Sequence, residues 1–246
     1  MLVDLHGKVV CVTGSARRVG RAIMLACAAQ GAHVVIHHGN SDEHAQHAAA
    51  EARAYGVDAL IVKANLEDPT AIADLFQQIA THYGRLDVLV NSAANFKRTP
   101  LLDIDLAEWE SVINTNLRAP FLCTQHAARL MIAGGKGGVI VNISDKGGVQ
   151  PWASRPHHSI SKAGLIMLTH NAALALAEHN IRVNCIVPGI VTAEDNPADA
   201  GKKIPLGRIG TPDDVARAVV FLATNDFVTG AVLHIDGGDA YNRGNY

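Results

Sequence analysis

Residues 9–13, 33–37, 59–62, 86–90, 139–143, 181–187 and 232–235 are short apolar runs, most of them rich in Val and Ile. Between them lie segments with helical spacing: 21–30, 42–55, 69–82, 106–133, 160–177, and one more opening at Thr211, Pro212 and Asp214. This alternation constrains the fold more than any other feature. Strands that return in one direction through helices make a parallel sheet covered on both faces. The fold expected is α/β: a single-domain, doubly wound (Rossmann) parallel sheet in three αβα layers over 1–246, with a substrate lid around 192–204. Pro120 should bend the long 106–133 helix because it lacks a backbone donor.

Composition narrows the partners. Hydrophobic residues make up 48% and charged residues 18%, which suits a sizeable core and not a disordered chain. The formal charge is −2, with Lys and Arg scattered, so there is no basic stripe for nucleic acid or an anionic membrane. The amino terminus has no secretory pattern, and no apolar run approaches the ~20 residues that span a bilayer. A small-molecule substrate and a cytoplasmic location are expected. Cys11, Cys27, Cys123 and Cys185 fall inside apolar segments without CxxC spacing and read as buried reduced thiols, and no metal site is expected.

The candidate site gathers at the carboxyl ends of the strands, where open α/β sheets bind ligands. The first turn, Thr13-Gly14-Ser15-Ala16-Arg17-Arg18-Val19-Gly20, has glycines that permit a tight bend and aim helix amides at a pyrophosphate. After the second strand come His37, His38, Gly39, Asn40 and Ser41, with no acidic residue to hold a ribose 2′-hydroxyl. His37, His38, Asn40 and Ser41, with Arg17, can instead donate to a 2′-phosphate, which favours NADP(H) over NAD(H); Ser41 also suits a helix cap. Asn65 and Leu66 end the third strand. The fourth ends in Asn91-Ser92-Ala93-Ala94-Asn95-Phe96, whose small residues allow a flat ring close to the backbone. Phe96 could cover a planar ligand or pack beneath a lid. Asn114 and Asn116 lie within the 106–133 helix, where an Asn ordinarily faces solvent. Asp145 follows the fifth strand, and His158 and Lys162, four apart, leave one helix face. Pro188-Gly189 makes a rigid stop after the sixth strand.

These residues, in this order and spacing, resemble the short-chain dehydrogenase/reductase family over essentially the whole chain. The resemblance implies an NAD(P)-dependent oxidoreductase, commonly a homotetramer, with a catalytic Asn, Ser, Tyr and Lys. Asn116 and Lys162 match the Asn and Lys, whereas Asp145 stands at the Ser position and His158 at the Tyr position. Arg18 replaces the middle glycine of the turn, and Asn65 the usual Asp beside adenine. The Asp at 145, Arg18, the 37–41 loop and Phe96 are similar to pteridine reductases and dihydromonapterin reductases. There the Phe stacks on the pterin and the Arg reaches substrate and cofactor phosphates. By the same resemblance Gly14, Val19, Gly20, Asn91, Ala93, Lys162 and Gly189 hold cofactor, Pro188, Val191 and Thr192 fix the carboxamide, and Asn116 positions Lys162 through water.

A carbonyl that receives hydride needs a proton from a positioned acid. Imidazole, with an ordinary pKa of about 6.5, can supply it without the lowering that a phenol requires. The chemistry expected is NADPH-dependent reduction of a pterin-like or other planar C=N or C=O group, with Asp145 and His158 sharing the proton. The alternatives are a dehydrogenase of a sugar, acyl or steroid alcohol or ketone, a nucleotide-binding protein with little redox turnover, and a lyase or isomerase using His158. The partners expected are the small-molecule substrate and further copies of the chain, as a homotetramer or a homodimer.

Overall fold

The structure is a computed structural model that describes residues 4–192 and 201–241. Seven strands form one sheet: β1 (Val9–Val12), β2 (His33–His38), β3 (Ala59–Lys63), β4 (Val88–Asn91), β5 (Gly138–Ile143), β6 (Ile181–Pro188) and β7 (Val232–Ile235). Their spatial order is β3-β2-β1-β4-β5-β6-β7, and every neighbouring pair is parallel. Strands covered on both sides need apolar residues on both faces, which is why they read as unbroken Val/Ile runs.

Alternate side chains of β1 feed two cores. Val10 and Val12 pack with α1 (Arg18–Ala29), α2 (Asp42–Arg53) and α7 (Pro212–Thr224), through residues such as Ile23, Ala48 and Val219. Val9 and Cys11 pack on the other face with α3 (Pro69–Tyr83) and α5 (Ala119–Ala133), through Ile72, Leu75 and Ala127. All four cysteines are buried and free. The chain leaves β1 for α1 and β2 on one side and pairs β1 with β4 on the other, which places the topological switch between β1 and β4.

Local chemistry fixes the helix ends. Asp68 accepts the Thr70 N–H ahead of Pro69, and α3 stops at Gly84 in the left-handed region. Thr211 and Asp214 close a reciprocal capping box on α7. The expected 106–133 helix is in fact α4 (Leu106–Ile113), a π turn over Asn114–Arg118, and α5. Pro120 sits in the first turn of α5, directly after the π turn, where its missing N–H is tolerated. Helix α6 (Pro156–Leu176) begins four residues before the expected 160, since Pro156 opens it and the polar 157–159 stretch masks its start.

By length and composition, 156–179 would be apolar enough to cross a membrane, contrary to the expectation that no segment approaches that length. Here the helix instead packs against β6 and α4 as a layer of the sandwich.

Candidate active site

The turn after β1 and the loop after β4 meet at the switch point. A Cβ on Gly14 would lie 2.9 Å from Ala93 Cα, and one on Gly20 would collide with Gly14 O. Thr13 Oγ1 accepts the N–H groups of Ser92 and Ala93, locking the two segments together. The cleft above them measures about 1050 Å³. From β1 and α1 it is lined by Gly14, Arg17, Arg18, Val19 and Gly20, and from β2 by His37, His38, Asn40 and Ser41. Lys63 at the end of β3 and Asn65 and Leu66 beyond it follow, and on the other side stand Ala93, Phe96, Asp145, His158, Lys162 and Pro188. Bare glycines at the floor and basic side chains at the rim fit a dinucleotide phosphate.

Several expected contributors serve elsewhere. His37 is buried, its Nδ1 accepts the Gly14 N–H at 3.0 Å, and its Nε2 lies 3.1 Å from Ala64 O. With both ring nitrogens engaged, it braces the turn and does not donate to a phosphate. Burial is the main reason that its pKa falls to about 4, so the ring is neutral. Ser41 occupies the position before α2, but its hydroxyl makes no capping bond; its N–H meets His38 Nδ1 at 3.4 Å. Asn91 turns away from the cleft: its amide donates to Asn142 Oδ1, and Asn142 donates to Thr169. Gly189 packs on Asp236, and Val191 bridges to Gly210, so the chain beyond Pro188 runs outside the cleft lining. Thr192 donates its N–H to Gly210 O. Most of the expected lid, 193–200, lies outside the described residues, as does 242–246.

Arg18 adopts a φ of +51° at the position where a glycine would be comfortable. The guanidinium groups of Arg17 and Arg18 make no hydrogen bond or ion pair among the described residues. Lys63, across the cleft, is paired with both carboxylate oxygens of Asp42 at 3.0 Å.

At the carboxyl end of β5, Asp145 Oδ2 lies 2.6 Å from His158 Nε2, and Asp145 Oδ1 accepts the Gly147 N–H. Burial raises the Asp145 carboxyl, but the His158 hydrogen bond, the Lys162 charge and the Gly147 N–H together carry it below its ordinary value. The lowered value favours the ionised carboxylate, an acceptor for the facing imidazole nitrogen. Both line the cleft, but His158 is buried, whereas Asp145 keeps about a fifth of its side chain exposed at 21%.

On the other edge of the imidazole, Nδ1 lies 3.3 Å from both Asn116 Nδ2 and Asn95 O. A neutral ring can accept from the amide and a charged ring can donate to the carbonyl, so neither form strands a buried nitrogen. Asn116 is 1% exposed and does not face solvent, because the π turn rotates it inward. Its amide also binds Asn95 O and Ser161 Oγ, and its carbonyl accepts the Asn95 N–H. None of its hydrogen bonds involves Lys162, so its contacts steady His158 and the Phe96 loop. Lys162 is buried and donates to Ile143 O at 2.8 Å; burial lowers its pKa, against the opposing pull of Asp145.

The sequence reading missed the wall beside His158. Trp152 lies parallel to the imidazole with centroids 5.9 Å apart, Phe96 meets it edge-on at 4.7 Å, and Arg155 covers one face of Phe96 at 4.2 Å. An aromatic and an arginine a few residues before His158 were the available signal. His157, fully buried, places Nε2 3.1 Å from Glu108 Oε1 on α4 without forming a hydrogen bond to it. Among the described residues no cluster of three or more His, Cys, Asp or Glu could hold a metal. His33 and His37 do have the His-x-x-x-His interval, but on strand β2 this separates them by about 13 Å.

Fold and site together fit a dinucleotide-binding α/β protein with a hydrogen-bonded carboxylate–imidazole pair in its switch-point cleft. A family model described as enoyl-(acyl carrier protein) reductase matches residues 14–239. The chain is 36% identical over 245 residues to an L-rhamnose 1-dehydrogenase (NAD(P)(+)) of Sphingomonas sp. (strain SKA58), covering 95% of this chain and 96% of that protein. It is 39% identical over 248 residues to the 3-oxoacyl-[acyl-carrier-protein] reductase of Aquifex aeolicus, covering 97% and 99%. Among solved structures, an acetoin dehydrogenase from Salmonella typhimurium superposes with a TM-score of 0.91 at 30% identity, covering 98% of each chain. The chain belongs to the short-chain dehydrogenase/reductase family of NAD(P)-dependent oxidoreductases.

Proposed function

We propose that the protein interconverts a ketone and its secondary alcohol, with the proton carried by the Asp145–His158 pair. The observation behind this reading is the 2.6 Å contact between carboxylate and imidazole inside the switch-point cleft. A bound NAD(P)H would supply the hydride. The glycine floor would cradle its pyrophosphate, and Arg17 and Arg18, joined by His38, Asn40 and Ser41, favour NADP(H) through its 2′-phosphate. Asp145, the more exposed member, would pass to the substrate oxygen the proton it shares with His158 Nε2, while Nδ1–H would stay on the Asn95 carbonyl. Proton transfer of this kind contributes about 10²–10⁴-fold to rate.

The named activities of the relatives, on rhamnose, 3-oxoacyl groups and acetoin, interconvert hydroxyl and carbonyl groups and support the same broad class for this chain. A pterin substrate has less support: Arg155 already covers one face of Phe96, leaving a pterin only the other. We take the working form to be a cytoplasmic homotetramer, or else a homodimer; four buried free thiols suit a reducing compartment.

The test follows NADPH and NADH consumption with diacetyl, acetoin and 3-oxoacyl esters, with a folate analogue as competitor. Asp145→Asn and His158→Gln should each lower kcat/KM by about 10²-fold or more while leaving NADPH affinity intact. Full turnover by His158→Gln would remove the proton-carrying pair from the reading, and competition by the folate analogue would restore the pterin.

A further inference from the structure

Resting on the reading of this site as a ketone–alcohol oxidoreductase, we propose that Arg155 is an anion subsite beside the Asp145–His158 pair, and that the substrate carries a carboxylate or phosphate. Arg155 immediately precedes Pro156, the first residue of α6, three positions before His158. Its guanidinium lies 4.2 Å from the centroid of Phe96, whose own ring stands edge-on to the imidazole at 4.7 Å, and 6.0 Å from that of Trp152. The group therefore sits one ring away from the proton-carrying nitrogen.

Stacking on an aromatic face engages the flat of a guanidinium and leaves its in-plane N–H groups free to bind. In Arg155 those donors have no acceptor among the described residues, and its Nε is shut away from solvent without a hydrogen-bond partner. Arg182, by contrast, donates to three backbone carbonyls and Arg208 is bidentate on Asp214, while Arg118 donates to Glu67 O although its Nε, like that of Arg155, is enclosed without a partner. Nε is enclosed, so an incoming oxyanion would be met by the terminal N–H groups, which burial does not seal off.

Asp145, the carboxylate beside His158, is committed to that ring and to Gly147 and makes no hydrogen bond to Arg155. Lys97 and Arg98 follow Phe96 on its loop and are exposed. A planar fork with free donors favours a carboxylate or phosphate oxygen pair over a neutral hydroxyl.

Four ketones on the NADPH-loaded protein separate the possibilities: acetoacetate against methyl acetoacetate, and dihydroxyacetone phosphate against dihydroxyacetone. The native protein should prefer one charged member over its neutral partner by at least about tenfold in kcat/KM, and Arg155→Gln should bring that ratio near one. The ratio is the readout, whatever the absolute rates. Arg155→Lys, which keeps charge but loses the fork, should fall between. The carboxylate and phosphate arms tell which anion is taken. Calorimetric binding of both anions to the NADPH complex, compared between native and Arg155→Gln, needs no turnover. An unchanged ratio in Arg155→Gln overturns the subsite, and so does equal or absent binding of both anions by the two proteins. Absence of turnover with any ketone alongside Arg155-dependent anion binding would instead sink the reductase reading and keep the subsite.

Discussion

At position 18 a non-glycine residue holds a left-handed backbone at the start of α1, with its guanidinium unpaired at the cleft rim. Such a conformation costs an L-residue roughly 1–2 kcal/mol, so the side chain has to repay the strain through what it binds. Arg18→Gly should therefore leave stability unchanged or raise it by up to about 1 kcal/mol in urea unfolding. In the same variant the dissociation constant for NADPH should rise by about tenfold while that for NADH barely moves. Unchanged NADPH affinity would mean that Arg18 does not meet the 2′-phosphate. The letters of positions 17 and 18 could be read as phosphate donors. The role of His37 could not, because an imidazole after a strand looks the same whether it faces a ligand or joins two backbones.

At the scale of elements, His37 fastens three of them: its ring takes the Gly14 N–H of the first turn and reaches Ala64 O beyond β3 from its own place on β2. Burial, the leading cause, lowers its pKa to about 4 against an ordinary 6.5; the Ala64 contact opposes this and His38 assists it. Above pH 6.5 the ring is neutral folded or unfolded, and the contribution is complete. Between 6.5 and about 4 the unfolded chain takes up a proton that the folded chain refuses, so stability falls as pH falls through that window. Urea midpoints near pH 7.5 and near pH 5 should show a larger acid loss for the native protein than for His37→Asn. Equal losses would show that the clasp does not titrate in this range.

Across the whole molecule, α6 joins site and surface. One side carries His158 and Lys162; the other exposes Ile160 (50%), Met167 (58%) and Leu174 (82%), seven residues apart, which aligns them along one stripe. An apolar stripe of this kind in water favours association. If four copies of the 26.0 kDa chain assemble through it, Met167→Asp should shift sedimentation toward smaller species and lower turnover by loosening the helix that holds His158. A native protein that sediments as a monomer would exclude the homotetramer and the homodimer alike.

The seven strands and the parallel sheet were readable from the letters, because a strand buried on both faces must be apolar throughout, and the gaps between such runs match crossover helices. The glycine turn, Asp145, His158 and Lys162 were equally plain, as their chemistry depends on residue type and interval. Contacts across distant segments decided the rest. The inward turn of Asn116 depends on a π turn, the withdrawal of Asn91 on a partner 51 residues away, and the bracing role of His37 on Gly14 and Ala64. The stacking of Arg155 on Phe96 brings a loop after β4 against the start of α6. A hydrogen bond or a stacked pair between remote residues exists only once the sheet has set their separation, so no local spacing could have announced it.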